Sequence, residues 1–229
     1  MGDVEERAEA GDVKAMNELG LRLVPHDKDG AERWWLRAAE AGLAAAMRNL
    51  GYLADERGRP EETEKWWRAG VEAGDATSAY NLAYMLAQQR RTDEAAKFYE
   101  IAAEAGDVEA MVNLSSLLES LDRADEAEQW LRRAADEGDG AAMNNLGSAC
   151  FKARRTDEAK EWWRKGAEAG EREAMYNLAV LLDGLNEREE AKRFFGEAAR
   201  LGHGRARRQL EEMEAEAGPG GRPRIQGIF

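Results

Sequence analysis

Cysteine, histidine and proline are scarce in this chain of 229 residues. The single cysteine, Cys150, excludes an intramolecular disulfide, and the two histidines, His26 and His203, are too few to complete a metal site with it. Only four prolines occur, and two of them lie in the last eleven residues, so little interrupts a helix over most of the chain. We therefore predict an all-α protein that holds no metal and no other cofactor.

Long apolar runs are missing as well. No segment approaches the roughly 20 residues of a membrane span, and the first residues, MGDVEERAEAG, lack the basic region and apolar core of a secretion signal. The formal net charge of −13 repels phosphate backbones. We expect a cytoplasmic protein whose partners include neither a membrane nor a nucleic acid.

What the chain does contain is a repeat. A glycine closes phrases such as EAG at intervals of 31 residues once and 32 residues five times. Each unit has two halves: AMRNLGYLADE carries the apolar spacing of one helix face, and PEETEKWWRAGVEAG has acidic residues at its start and a glycine suited to a helix C-cap. We name these halves helix A and helix B, and we predict Thr92 and Thr156 as N-cap residues of helix B. The closing glycines are Gly11, Gly42, Gly74, Gly106, Gly138, Gly170 and Gly202.

The tryptophans follow the same period. The phrases ERWWLRAAEAG, EKWWRAGVEAG and KEWWRKGAEAG place paired rings at one position of helix B. We predict that Trp35, Trp67 and Trp163 are buried where successive helix hairpins interlock, with Gly70 allowing close approach. An aromatic cage for a cationic ligand is the alternative, but a cage needs rings around one point and these rings recur along the chain.

This pattern, A-M-x-N-L-G followed by E-A-x-x-W-W-x-x-A-A-E-A-G, resembles Sel1-like repeats, a branch of the tetratricopeptide superfamily, over residues 11 to about 215. The units here lack the usual glycine-containing insertion, and the lone cysteine excludes the disulfide-stapled branch of the family. The resemblance implies an α-solenoid, a right-handed superhelix with helices A on its concave side, and an adaptor role. We expect about six antiparallel helix pairs, half a helix B at residues 3–10 and a C-terminal capping helix. Residues 1–217 would form the solenoid and residues 218–229 a flexible basic and apolar tail.

One polar residue recurs within helix A. At 100° per residue, the apolar stripe of helix A centres about 150° away from Asn49, so this slot faces away from the core of its hairpin. An amide offers one acceptor and two donors, which matches the backbone of an extended peptide. Alternatively, each amide bonds a neighbouring helix, or duplication of the unit copied a neutral residue. The slot holds Asn49, Asn81, Asn113, Asn145 and Asn177.

Tyrosine and arginine accompany this ladder of asparagines. Tyr52 and Tyr84 follow an Asn by three positions, while Tyr80 and Tyr176 precede one. These rings either border a peptide groove or cover seams between helices. Arg48, in the slot of Tyr80, would pair with a carboxylate.

No serine or cysteine nucleophile comes with a recognisable local pattern, so we predict no catalytic residues and no enzyme activity. The function we predict is a scaffold or adaptor that binds an extended segment of another protein. The alternative is a regulatory or immunity-type subunit that covers a basic partner. A smaller alternative, implied by the resemblance, is an enzyme or a small-molecule (β-lactam-like) binder. The tail RPRIQGIF is a further candidate ligand for the groove, either of its own chain or of a second copy, which would produce self-association.

Overall fold

The computed structural model of the protein describes residues 2–217. This part of the chain is all-α, with fourteen helices and no strand. The prediction for residues 218–229 lies outside the described residues. The helices are α1 (Gly2–Glu9), α2 (Val13–Leu23), α3 (Lys28–Glu40), α4 (Ala44–Glu56), α5 (Pro60–Glu72), α6 (Ala76–Gln88), α7 (Thr92–Glu104), α8 (Val108–Ser120), α9 (Ala124–Asp136), α10 (Gly140–Lys152), α11 (Thr156–Glu168), α12 (Arg172–Gly184), α13 (Arg188–Arg200) and α14 (Gly204–Ala217).

The even-numbered helices are helices A and the odd-numbered ones are helices B. Within the described residues, α1 is the expected half of a helix B, six pairs follow from α2 to α13, and α14 is the capping helix. The predicted all-α solenoid is confirmed. The chain divides within α8 into two compact units, unit 1 (Met1–Leu117) and unit 2 (Leu118–Phe229).

The glycine period marks the turns from helix B to helix A. All seven closing glycines have φ between 84° and 96°, a left-handed conformation that L side chains rarely adopt. Five of the six opposite turns, from helix A to helix B, use the same conformation, and only one of the five residues is a glycine. These five are Gly58, Arg90, Asp122, Arg154 and Asn186, with φ between 58° and 65°.

The predicted N-caps of helix B were wrong. Thr92 and Thr156 are the first helical residues of α7 and α11, and the N-cap positions belong to Arg91 and Arg155, whose side chains do not cap the backbone. Arg90 and Arg154 adopt the left-handed conformation and end the turn, so each helix begins one residue earlier than predicted. Side-chain caps are found on helix α3, where Asp27 accepts from Gly30, and on several helices A, where the acceptors include Asp12, Asp75, Asp139 and Glu171.

The second residue of each tryptophan pair in helix B lies in the core. Trp35, Trp67 and Trp163 are only 3 to 5 % exposed, which confirms the predicted burial, and Trp34, Trp66 and Trp162 are half-buried. Each of these three buried indoles packs on a glycine of its own hairpin, at the slot of helix A that holds the glycine of the N-L-G phrase. A methyl group at that glycine would lie 2.3 to 2.4 Å from the ring, so only glycine fits. The pairs are Gly20 with Trp35, Gly51 with Trp67 and Gly147 with Trp163.

Candidate functional site

The asparagines of unit 1 link neighbouring helices A. Each amide is half-buried and donates one N–H to a side chain on the preceding helix A. The bonds run from Asn49 to Asn17 at 2.9 Å, from Asn81 to Tyr52 at 2.7 Å and from Asn113 to Tyr80 at 3.3 Å.

These bonds agree with the interpretation of the ladder in which each amide bonds a neighbouring helix. Each amide keeps further hydrogen-bonding capacity, since an asparagine side chain has a second N–H and an acceptor oxygen. The helix-linking role is therefore observed, and a role in gripping a peptide backbone stays a hypothesis.

The tyrosines divide into exposed and engaged ones. Tyr52 and Tyr84 are 44 % and 52 % exposed, although Tyr52 also stacks edge-on against Trp67 at 5.8 Å. Tyr80 is half-buried and donates its hydroxyl proton to Glu109. Burial, followed by the contact with the Glu109 carboxylate, raises the pKa of Tyr80 well above its usual value. Tyr52 and Tyr84 are thus the two that present a large apolar surface with a polar tip.

Arg48 does meet a carboxylate, but one of its own chain. Its Nη1 lies 2.7 Å from Oδ1 of Asp75, and both side chains are largely shielded from solvent. Asp75 also accepts from the backbone N–H of Ser78 as the N-cap of α6. The guanidinium therefore holds the start of the next helix A, and a ligand would have to displace Asp75 to use it.

In unit 2 the ladder continues through a residue that the sequence reasoning missed. Asn177 on α12 donates to Oδ1 of Asn144 on α10 at 2.9 Å, and Asn144 donates to Oδ1 of Asn145 at 3.4 Å. Asn144 directly precedes the predicted ladder residue. The first of these bonds links α12 to α10, and the second lies within α10.

Next to Asn177, α10 and α12 enclose a pocket with a volume of about 540 Å³. Three large apolar side chains of its lining are half exposed: Phe151 at 50 %, Val180 at 46 % and Leu185 at 49 %. The ring of Phe151 lies 5.6 Å from that of Trp163, which also lines the pocket. No carboxylate is among the lining residues in the described part of the chain.

The pocket was only partly visible in the sequence. Val180 occupies the same slot as Tyr52 and Tyr84, three positions after a ladder asparagine, so the repeat could have indicated it. Phe151 occurs once at its slot, where the neighbouring units have Glu119 and Asp183. A residue that breaks the period carries no repeat signal.

Tyr176 connects the pocket to the capping helix. It lines the pocket and its ring stacks on the imidazole of His203 at 4.3 Å. His203 is buried, its Nδ1 accepts from the backbone N–H of Ala206, and its Nε2 lies 3.1 Å from the Glu173 carboxylate. His203 thus caps α14 at the slot where most other units have an acidic residue, such as Asp139 or Glu171.

Two four-residue ion-pair networks join successive helices B. In unit 2, Arg132 and Arg155 each contact both Glu128 and Glu158, at 2.6 to 2.9 Å. The ligand atoms of Glu128, Cys150 and Glu158 lie within 4.8 Å of one another, the spacing of a metal site. However, both carboxylates already hold two guanidinium groups, and burial raises the pKa of the Cys150 thiol, which disfavours the thiolate that a metal needs. This group fits an ion-pair network better than a metal site.

The matching network of unit 1 is formed by Glu64, Arg68, Arg91 and Glu94. Its hydrogen bonds from Arg91 lower the pKa of Glu94 to about 2. Among the helices of residues 2–217, none is both long enough and apolar enough to cross a membrane.

Family comparisons agree with this architecture. The Sel1 repeat model matches residues 10–43, 76–107 and 140–171, and tetratricopeptide repeat models match residues 108–136 and 173–201. Together these matches cover more than half of the chain. The protein is therefore an α-solenoid built of helical-hairpin repeats. More particularly, it is a Sel1-like repeat protein of the tetratricopeptide superfamily.

Solved structures show the same fold. The protective antigen c5321 of uropathogenic Escherichia coli, which displays an SLR fold, is 24 % identical with a TM-score of 0.79, and covers 92 % of this chain. This chain spans only 50 % of that protein. A Sel1 repeat protein from Oxalobacter formigenes is 21 % identical with a TM-score of 0.66, over 92 % of this chain and 68 % of its own. YrrB, a tetratricopeptide protein with an unusual peptide-binding site, is 21 % identical with a TM-score of 0.57, over 78 % of this chain and 97 % of its own. No curated protein matches the chain in sequence.

Proposed function

We propose that this protein is a non-catalytic scaffold that binds an extended peptide segment of a partner protein along its helices A. The observation that carries the proposal is the pocket between α10 and α12, where Phe151, Val180 and Leu185 are half exposed beside the amide of Asn177. Apolar walls with a few placed polar groups are the usual make-up of a ligand site, and about 300 to 1,000 Å³ is its usual size.

The chemistry of the lining favours a peptide. The apolar walls accept one or two side chains, and the Asn177 amide reaches backbone groups whatever the peptide sequence. In unit 1, Tyr52 and Tyr84 offer a second exposed surface of the same kind. YrrB, a structural neighbour, has a peptide-binding site, so a protein of similar fold uses it to bind a peptide. A cytoplasmic location remains a prediction of the sequence.

The experiment selects ligands from displayed random twelve-residue peptides and measures their affinities by fluorescence anisotropy. The pocket variant carries Val180→Ser and Leu185→Ser. The control variant carries Ile101→Ser and Leu201→Ser, since Ile101 and Leu201 are equally exposed at 45 % and 50 % but lie on helices B. Leu185 and Leu201 also share the C-cap position of their helices.

We expect the pocket variant to bind the selected peptides about tenfold or more weakly, because two apolar contacts are lost. The control variant should bind like the parent. Equal binding by both variants would contradict the proposal. Affinity that collapses between about 0.05 M and about 0.5 M salt, with no effect of the pocket variant, would support the alternative of an acidic surface covering a basic partner.

A further inference from the structure

The last helix ends near the end of α12, a helix that lines the pocket. His203 at the start of α14 contacts Glu173 and Tyr176 near the start of α12, so these two helices run in the same direction. At the other end, one guanidinium joins them: Arg188 lies 2.6 Å from Glu216 on α14 and 3.8 Å from Asp183 on α12.

This end of α12 is also the pocket end. Gly184 and Leu185, which follow Asp183 directly, belong to the pocket lining. The chain therefore leaves α14 near the end of α12 that contributes Gly184 and Leu185 to the pocket. A segment that follows Ala217 needs only a short path to reach it.

The segment that follows has a suitable sequence. GPGG at residues 218–221 is a linker by composition, and the next residues, RPRIQGIF, include Ile225, Ile228 and Phe229. Ile225 lies eight residues after Ala217, a distance of up to about 27 Å when extended. The apolar residues of this segment are of the kind that the pocket walls, Phe151, Val180 and Leu185, can accept.

The net charge of the chain favours contact between this segment and the rest of the protein, while the apolar walls decide where it docks. Two of the 33 basic residues, Arg222 and Arg224, lie in this segment, which leaves 31 basic against 46 acidic residues in the rest of the chain, a net charge of −15. Lys152 is the cation of the pocket lining, and it has Glu119 at 3.7 Å. A basic segment is therefore attracted to the body of its own chain.

We propose that residues 222–229 dock in the pocket between α10 and α12 of the same chain, with Ile225, Ile228 and Phe229 against its apolar walls, and compete there with peptides of partner proteins. This inference rests on the proposed function, since it names an occupant for that site. A tethered ligand acts at an effective concentration in the millimolar range, so even weak docking regulates access.

The test uses a fluorescent peptide with the sequence of residues 218–229 and full-length protein. In the tail variant, Ile225→Ser, Ile228→Ser and Phe229→Ser remove the apolar contacts. In the tail control, Gly220→Ser, Gly221→Ser and Gln226→Ser place the same number of serines at other positions of the segment. The pocket variant (Val180→Ser, Leu185→Ser) and the control variant (Ile101→Ser, Leu201→Ser) are each combined with the tail variant.

We expect the tail variant to bind the peptide about tenfold more tightly than the parent or the tail control, because its own segment no longer competes. Binding should be lost in the pocket variant and kept in the control variant. Equal affinity of parent and tail variant, insensitivity to the pocket variant, or no binding at millimolar peptide would each overturn the inference. So would a parent that dimerises in sedimentation while the tail variant does not, since the segment would then dock in a second copy.

The two proposals fail separately. If random peptides selected on the protein depend on Val180 and Leu185 while the peptide of residues 218–229 does not bind, the proposed function stands and the inference is wrong. If neither kind of peptide depends on the pocket, both are wrong.

Discussion

Gly51 and Trp67 are in contact so closely that a methyl group added to Gly51 would lie 2.3 Å from Cδ1 of the indole. Glycine is a poor helix former, and it lies in the middle of α4 because the ring of α5 occupies the space of a side chain. Other hairpins have an alanine at the glycine position where the facing ring is smaller: Ala83 with Tyr99, and Ala179 with Phe195. The residue in helix A is therefore smaller where the ring in helix B is larger.

The first prediction is that Gly51→Ala destabilises the protein by about 1 to 3 kcal/mol, because overpacking outweighs the gain of about 1 kcal/mol in helix propensity. Adding Trp67→Tyr should recover part of the loss by recreating the Ala83 and Tyr99 combination. Chemical denaturation followed by circular dichroism measures both. Gly196→Ala is the control: the nearest atom to its added methyl is 3.9 Å away, so it should stabilise α13. A stabilising Gly51→Ala would show that the indole moves away easily.

The second prediction concerns two buried indoles with different hydrogen bonding. Nε1 of Trp163 donates to the backbone oxygen of Asn144 at 3.1 Å, whereas Nε1 of Trp67 is buried without a partner among the described residues. Trp163→Phe should therefore cost about 1 kcal/mol more than Trp67→Phe, since only the first loses a hydrogen bond. Equal costs in denaturant unfolding would mean that the 3.1 Å contact contributes no net stability.

The third prediction concerns the left-handed turn residues. Arg154 has φ of 61°, and Gly58 holds the equivalent turn with φ of 65°. Left-handed backbone costs about 1 kcal/mol or more in a residue with a Cβ, so Arg154→Gly should raise the melting temperature, offset in part by the greater flexibility of the unfolded chain. Gly58→Arg should lower it. Thermal unfolding of both variants checks the signs, and the same sign for both would show that the left-handed backbone does not decide the effect.

The fourth prediction is a pH dependence. Hydrogen bonds from Arg91 lower the pKa of Glu94 from 4.5 to about 2 and also lower the pKa of Glu64. A carboxylate whose pKa is lowered by folding stabilises the fold fully above its unfolded pKa, near 4.5. This contribution to stability is lost as the pH falls toward 2. Arg91→Gln should therefore reduce the loss of stability between about pH 5 and about pH 2. Arg33→Gln, which removes only a 3.8 Å contact with Asp27, is the control. If both variants lose stability on acidification as steeply as the parent, the network does not contribute.

Much of the fold was predictable because it repeats. Each closing glycine indicated a left-handed turn, and the paired tryptophans indicated where hairpins interlock, since one unit's signal was tested by the others. The starts of α7 and α11 were predicted one residue late at Thr92 and Thr156. A left-handed arginine before each helix has no sequence signature, because arginine ordinarily avoids that conformation.

The site was less predictable for the same reason. The ladder asparagines were identified, but their hydrogen bonds to Asn17, Tyr52 and Asn144 depend on the spacing of neighbouring helices. Phe151 breaks the period, and its role in the pocket follows only from the packing of α10 beside α12. Repetition shows where a surface lies, while departures from repetition make one part of it a pocket.

The fifth prediction separates the two roles of the ladder at Asn177. Asn177→Ala removes an amide that lines the pocket and donates to Asn144 at 2.9 Å. Asn144→Ala removes the same hydrogen bond from the other side, and Asn144 is not among the lining residues in the described part of the chain. Both variants should change the free energy of unfolding by about 1 kcal/mol or less, since the lost bond is partly offset by the better helix propensity of alanine.

Only Asn177→Ala should reduce the affinity for the peptides selected from the random display, by about five- to tenfold. Only in that variant does a ligand lose a hydrogen bond to the amide. Anisotropy titrations of the two variants, with circular dichroism melts alongside, provide the comparison. If Asn144→Ala weakens binding as much as Asn177→Ala does, the amide acts by holding α10 and α12 together. If neither variant affects binding, the ladder serves only the packing of helices A, and the apolar walls account for the whole affinity.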